Sequence, residues 1–205
     1  GAYDNALEHY EIALQLTPDS EKSRILHKIG NVHLRQGEWE RSIYTFKQGY
    51  EQLQKPLAPS IGALILVDWS LAVFQLGQVS KAEELAVQAL LFAEKNEAPF
   101  SATKAHNLLG ILARNQQDYL RAKNELELSL TIAENNNDEP AQAAALNNLA
   151  LVFADTSMLE DAIRTTCQAL EISRRLGDLH RVAALHSNLA DLYHKTGNAE
   201  QSIEH

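Results

Sequence analysis

Histidine and cysteine are the side chains best suited to acid–base, nucleophilic and metal chemistry near neutral pH. The 8 histidines show no His-Glu-x-x-His spacing and no cluster at metal-ligand spacing. His33, His106 and His186 fall in packing columns, which suits partly buried structural groups. Cys167 is the only cysteine, so neither an intrachain disulfide nor a multi-cysteine metal site is available. Its place in an apolar helical pattern suggests a small buried hydrophobe. Glycines stand singly, at turns or helix contacts, and build no phosphate-cradling loop. Carboxylates sit mostly on outer helix faces, where charge is usually solvation. No catalytic residue, cofactor or metal is expected, and the chain is not expected to be an enzyme.

What remains is binding chemistry. Asn107, Asn147, Asn148 and Asn188, with Asn31 near one end, carry amides that donate to and accept from a peptide backbone at once. The alternative is a solvated polar face. Arg24, Lys28, Arg35, Lys104, Arg114 and Lys195 suit an acidic segment, or form scattered solvated charge. Leu64, Val67, Leu71 and Phe74 follow helical spacing along one face. Leu71, Ile111 and Leu151 share a column that is apolar in excess of stacking, because Ile25, Ile65, Ala105, Ala145 and Leu185 already supply packing. That excess fits an apolar or amphipathic partner segment, or inner residues that touch one another.

The elements that must position these residues recur. Gly37, Gly77, Gln117, Ser157 and Gly197 stand 40 residues apart. Five residues beyond each slot comes a small side chain: Ser42, Ala82, Ala122, Ala162 and Ser202, with Ala6 ahead of them. Seven residues before each slot comes Gly30, Ser70, Gly110, Ala150 or Ala190, each preceded by Ile29, Trp69, Leu109, Leu149 or Leu189. Small residues at fixed places in every copy let two helices approach closely. Ala145–Leu176 shows the unit: two amphipathic runs with apolar residues three and four apart, broken at Thr156-Ser157. Neither run buries its face alone, and the pair still needs neighbours.

Helices are predicted at 3–16, 20–36, 38–54, 60–76, 79–96, 100–116, 118–135, 139–155, 158–176, 179–196 and 198–205. Lys55-Pro56-Leu57-Ala58-Pro59-Ser60 is the most linker-like break. The register runs unbroken, so residues 1–205 are expected to form a single array. Both ends fall inside a repeat, as expected of a fragment of a longer protein. A net charge of −9 disfavours nucleic acid, whose phosphates need a basic surface. The longest apolar run, Ile61 to Phe74, is interrupted by Asp68 and falls short of the roughly 20 residues of a membrane span. A cytoplasmic setting is expected, with neither nucleic acid nor membrane as partner.

The pattern resembles the tetratricopeptide repeat, a helix–turn–helix unit with a leucine–glycine pair in its first helix and alanine then an aromatic in its second. Gly1-Ala2-Tyr3, Ala6, Tyr10, Ala13-Leu14, Leu16 and Pro18 match the second half of that motif. Ile29-Gly30, Gly37, Trp39 and Phe46 match in the next copy. The spacing is that of a longer, 40-residue subclass, and Ala86, Leu126 and Thr166 stand where Tyr10 and Phe46 supply the aromatic.

The resemblance implies an all-α fold: a right-handed α-solenoid of stacked antiparallel helix hairpins, about five repeats and eleven helices. It implies that each pair's first helix lines a concave groove. The groove-binding candidates are then Leu64, Val67, Leu71, Phe74, Lys104, Asn107, Ile111, Arg114, Asn147, Asn148, Leu151 and Asn188. Some relatives clamp a C-terminal carboxylate there; Asn31 and Lys104 fit that scheme, but His27, Asp68 and Leu108 replace its other members, so the clamp is expected to be absent. The function implied is a non-catalytic scaffold that takes a peptide or helical segment of a protein. A homo-oligomer through exposed terminal repeats is a further partner. The alternative is a sensory array of a larger bacterial regulator, because Ala169–Asp178 resembles repeat endings in ATP-driven transcription regulators and nucleotide cyclases. There the ligand is an effector or another domain of the same chain.

Overall fold

The computed structural model describes residues 2–53, 59–198 and 202. Among these residues there are ten helices and no strand: α1 (Ala2–Leu16), α2 (Asp19–Gln36), α3 (Trp39–Glu51), α4 (Pro59–Gln75), α5 (Val79–Lys95), α6 (Pro99–Asn115), α7 (Tyr119–Asn135), α8 (Glu139–Asp155), α9 (Leu159–Arg175) and α10 (Leu179–Lys195). The expected eleventh helix at 198–205 lies outside the described residues except for Asn198 and Ser202, as do Gln54 to Ala58 of the linker-like break. The chain divides into two compact units, Gly1–Leu108 and Leu109–His205, with α6 passing from one to the other.

In the first unit each helix from α1 to α5 packs against the next and α2 also meets α4; in the second, α7, α8, α9 and α10 pack in the same sequential way. The small columns are the hairpin contacts. Ser42 is fully buried and donates its Oγ to Gly30 O at 2.9 Å. Ser70, in the opposite column, donates to Ala82 O at 2.5 Å. Ser202 repeats the first arrangement on Ala190 O at 3.0 Å. Each serine hands its proton to the carbonyl across the hairpin, so a buried hydroxyl is satisfied where the helices are closest. The first unit's core gathers Phe46, Ile65 and Ala72, with Leu34, Ile43, Tyr50, Ile61 and Trp69 against them. The second unit's core gathers Leu146, Ala169, Leu170, Leu185 and Leu189.

The 40-residue slot has a backbone cause. Gly37, Gly77 and Gly197 have φ of +76°, +76° and +77°, and Gln117 and Ser157 take +62° and +60° in the same place. Left-handed backbone is cheap for glycine and strained for a side chain. Gln117 is exposed, so its side chain returns little packing. Gln117→Gly is expected to raise stability by about 0.5–1 kcal/mol, the left-handed strain less glycine's extra chain entropy. A melting curve checks this, and an unchanged or lower midpoint contradicts it.

Cys167 corrects an expectation: it is exposed. The buried positions of α9, among them Ala162, Thr166, Ala169, Leu170 and Ser173, keep helical phase. Cys167 falls one position out of that phase, beside exposed Arg164, Gln168 and Glu171.

Candidate binding cleft

The first unit contains a cleft of about 930 Å³. Helix α2 supplies His27, Lys28, Asn31 and Arg35; α4 supplies Asp68, Leu71 and Gln75; α1 supplies Tyr3 and Tyr10; Trp39 opens α3, and Lys104 comes from α6. The volume is in the range of ligand sites, and the walls mix aromatic, apolar and cationic groups.

Asp68 sits at the cleft, 8% exposed, as the one charged residue of a mostly apolar helix. His27 Nε2 donates to its Oδ2 at 2.6 Å, and Asn31 Nδ2 donates to the same oxygen at 3.0 Å. Asn31 also donates to His27 O at 3.2 Å. Burial pushes the Asp68 carboxyl pKa up, but the hydrogen bond from His27, the charges of Lys104 and His27 and the hydrogen bond from Asn31 outweigh it. The pKa therefore lies below the ordinary carboxylate value. At neutral pH Asp68 is an ionised, internally satisfied group. Two cations stand over rings: Lys28 Nζ lies 5.6 Å from the Tyr10 centroid, and Lys104 Nζ lies 5.2 Å from that of Phe100.

Of the residues singled out from sequence in this unit, Leu71 and Lys104 line the cleft and are half-buried. Leu64, Phe74 and Asn107 are half-buried but not among its walls, and Val67, 5% exposed, belongs to the core. In the second unit Ile111, Asn148 and Leu151 are half-buried. Arg114 is held by Asp155, Nε to Oδ2 at 2.6 Å. Asn188 Nδ2 donates to Asn147 Oδ1 at 3.2 Å, so these two amides bond to each other.

Sequence reasoning missed the His27–Asp68 bond, and its signal is the offset. His27–Asp68, Arg114–Asp155, Asn147–Asn188 and Pro140–Arg181 all join residues 41 apart, one more than the 40-residue register. Contacts between successive first helices run diagonally, one residue past the equivalent slot. Asn148 and Asn188 share a column, yet the partner of Asn188 is Asn147.

Among the described residues, no group of three or more His, Cys, Asp or Glu is placed to hold a metal ion. Among them too, no helix is long and apolar enough to cross a membrane.

Residues 100–175 match the tetratricopeptide repeat family model. The kinesin light chain-related protein 1 of Arabidopsis thaliana is 24% identical over 216 residues, covering 98% of this chain and 35% of its own length. The chain thus spans about a third of the curated relative it matches. Among solved structures, the APC/C hetero-tetramer Cut9–Hcn1 superposes with a TM-score of 0.79 at 19% identity, covering 99% of this chain and 37% of that one. A signal-transduction ATPase with numerous domains from Pyrococcus horikoshii, which bears a tetratricopeptide repeat sensor, gives 0.76 at 14% identity, covering 100% of this chain and 32% of that one. At such identities the structural likeness speaks for fold, an all-α stack of antiparallel hairpins. The tetratricopeptide repeat match itself covers residues 100–175, and the forty-residue register of turns and small residues runs on through the rest of the chain.

Proposed function

We propose that this chain is a non-catalytic protein-binding scaffold whose first unit takes a peptide or helical segment in the cleft between α1, α2 and α4. The observation that carries the reading is the cleft itself: about 930 Å³, walled by Tyr3, Tyr10, Trp39 and Leu71, with its buried acid already satisfied by His27 and Asn31. Half-buried Leu71 supplies an apolar anchor point, and the rings offer large contact area at small entropic cost. The hetero-tetrameric assembly of the Cut9–Hcn1 neighbour supports a protein as the ligand. A second reading draws on the neighbour with a repeat sensor: the same cleft then takes an effector or another domain of the parent chain. For the second unit we propose the half-buried apolar pair Ile111 and Leu151 as the face open to a ligand, with Arg114, Asn147 and Asn188 engaged internally.

Selection of a displayed random-peptide library on the chain tests the first reading. The enriched peptides are expected to lose at least about ten-fold in affinity for Leu71→Glu, a loss of about 1.4 kcal/mol, while that variant keeps its helical circular dichroism. Peptides that bind the variant equally well place the ligand elsewhere. Unfolding of the variant makes Leu71 a core residue and ends the reading.

A further inference from the structure

We infer that the cleft of the first unit seats an α-helix of a partner protein, one that lays a glycine against Tyr10 and closes α1 into a hairpin. This occupant rests on the cleft being the ligand site, as proposed above. In the repeat register α1 is the second helix of a pair. Each other second helix sets a small residue against the first helix of its pair, and Ser42, Ala82, Ala122 and Ala162 are all fully buried there. Four residues on, Phe46, Ala86, Leu126 and Thr166 are fully buried too. Helix α1 carries the same columns as Ala6 and Tyr10, yet both are only half-buried, and both line the cleft. Tyr3, 45% exposed, repeats the difference, since its equivalents Trp39, Val79, Tyr119 and Leu159 are half-buried. The neighbouring column is unaffected: Leu7 is half-buried, as are Ile43 and Ile163. The loss of burial is thus confined to the face of α1 that meets a first helix in the other copies.

The hairpins of the chain show what covers such a face. Helix α3 packs against both α2 and α4, and α1 packs against α2 as α3 does against α4. The place that α2 takes on α3 has, among the described residues, no helix on α1. Where the second helix carries a large side chain, the first carries glycine: a Cβ on Gly30 would lie 2.5 Å from Phe46, and one on Gly110 would lie 2.5 Å from Leu126. Tyr10 is large, so the same packing admits glycine opposite it and overpacks with anything bigger. A large apolar residue precedes each of these glycines, Ile29 at 6% and Leu109 at 2% exposed. Tyr3, Ala6 and Tyr10 stand three and four apart along α1, the spacing that another helix meshes with and a strand's two-residue alternation does not. The occupant is therefore a helix with a large apolar–glycine pair. A second copy is poorly supplied with one, because its Gly30 and Gly110 are already closed over by Phe46 and Leu126.

The test uses fluorescence polarisation of this chain with a labelled peptide of residues 19–36, which as α2 lays Ile29-Gly30 against Phe46. Added in trans, it is expected to bind and to gain helical circular dichroism. Its Gly30→Leu version is expected to bind at least about ten-fold more weakly, because the added side chain meets Tyr10. Its Asn31→Pro version, which keeps the glycine and breaks the helix, is expected to lose as much. On the protein, Ala6→Leu fills the seat and is expected to abolish binding with unchanged circular dichroism; if that variant unfolds, the peptide versions decide, since they leave the protein untouched. Failure of the parent peptide to bind overturns the inference, as does equal binding of the leucine or proline version. Library peptides that lose affinity in Leu71→Glu but not in Ala6→Leu then leave the cleft reading standing without a helix seat, and indifference to both substitutions removes that reading as well. Self-association of the chain that the peptide disperses assigns the seat to a second copy. Binding by this chain that its full-length parent lacks assigns the seat to a helix of the parent. Either result overturns a partner protein as the occupant.

Discussion

Phe46→Ala is expected to destabilise the first unit by about 3–5 kcal/mol, because a fully buried ring leaves a cavity its neighbours fill only in part. The sharper expectation concerns the residue it faces. A Cβ built on Gly30 would lie 2.5 Å from Phe46 Cε1, so Gly30→Ala overpacks the hairpin by itself, at a cost of about 1–3 kcal/mol. In the Phe46→Ala background the same methyl enters the vacated space, and the double variant should be more stable than the summed single losses by about 1 kcal/mol or more. Urea unfolding of the four chains measures the coupling. Strictly additive losses would show that the two sites do not share one volume.

The same pair explains a departure from the family pattern. The column that holds Phe46 continues as Ala86, Leu126 and Thr166, and every one of these is fully buried. Across the hairpin the corresponding column reads Gly30, Ser70, Gly110 and Ala150. Large side chains face glycine: a Cβ on Gly110 would lie 2.5 Å from Leu126 Cγ, as one on Gly30 would from Phe46. Where the second helix carries Ala86 or Thr166, the first carries Ser70 or Ala150. Loss of the aromatic is thus not loss of the contact, since the two columns trade volume.

Most of the helical frame was legible because helical phase and turn chemistry are local. Nearly every boundary falls within a residue of the periodic pattern, and α3, which stops at Glu51 rather than 54, is the main exception. Gln117 and Ser157 were legible as turn residues only through the register, because neither residue type announces a left-handed backbone. The cleft was legible in part. Leu71, found by counting along equivalent helices, and Lys104, found as a basic residue of the presumed inner face, both stand on its wall. The partners of Asp68, Arg114 and Asn188 did not follow, because they depend on how one helix slides past the next. That offset, 41 residues and not 40, is a property of packing. Cys167 differs for another reason: the apolar pattern around it is one position out of phase with the buried face of α9, which puts its thiol outside.

His27→Ala is expected to cost about 3 kcal/mol at pH 7, because it strips the closest donor from a carboxylate that stays buried. Replacing both partners with leucine is expected to lie within about 1 kcal/mol of the wild type, since an apolar pair needs no solvation and α4 is apolar around it. The pH dependence separates charge from packing. In the wild type the pKa of Asp68 is depressed, so its stabilising contribution is complete above the unfolded carboxylate value of about 3.9 and is lost as pH falls through the lower folded value. In His27→Ala burial remains while the hydrogen bond and charge of His27 are gone, so the carboxyl pKa moves up. Acidification then protonates Asp68 earlier in the variant, and the neutral acid is cheaper to bury. The gap between variant and wild type should therefore be widest near pH 7 and narrow toward pH 4, as followed by urea unfolding at the two pH values. A gap of constant size would assign the loss to packing of the His27 ring, whose centroid lies 5.9 Å from that of Phe46, and not to the buried charge.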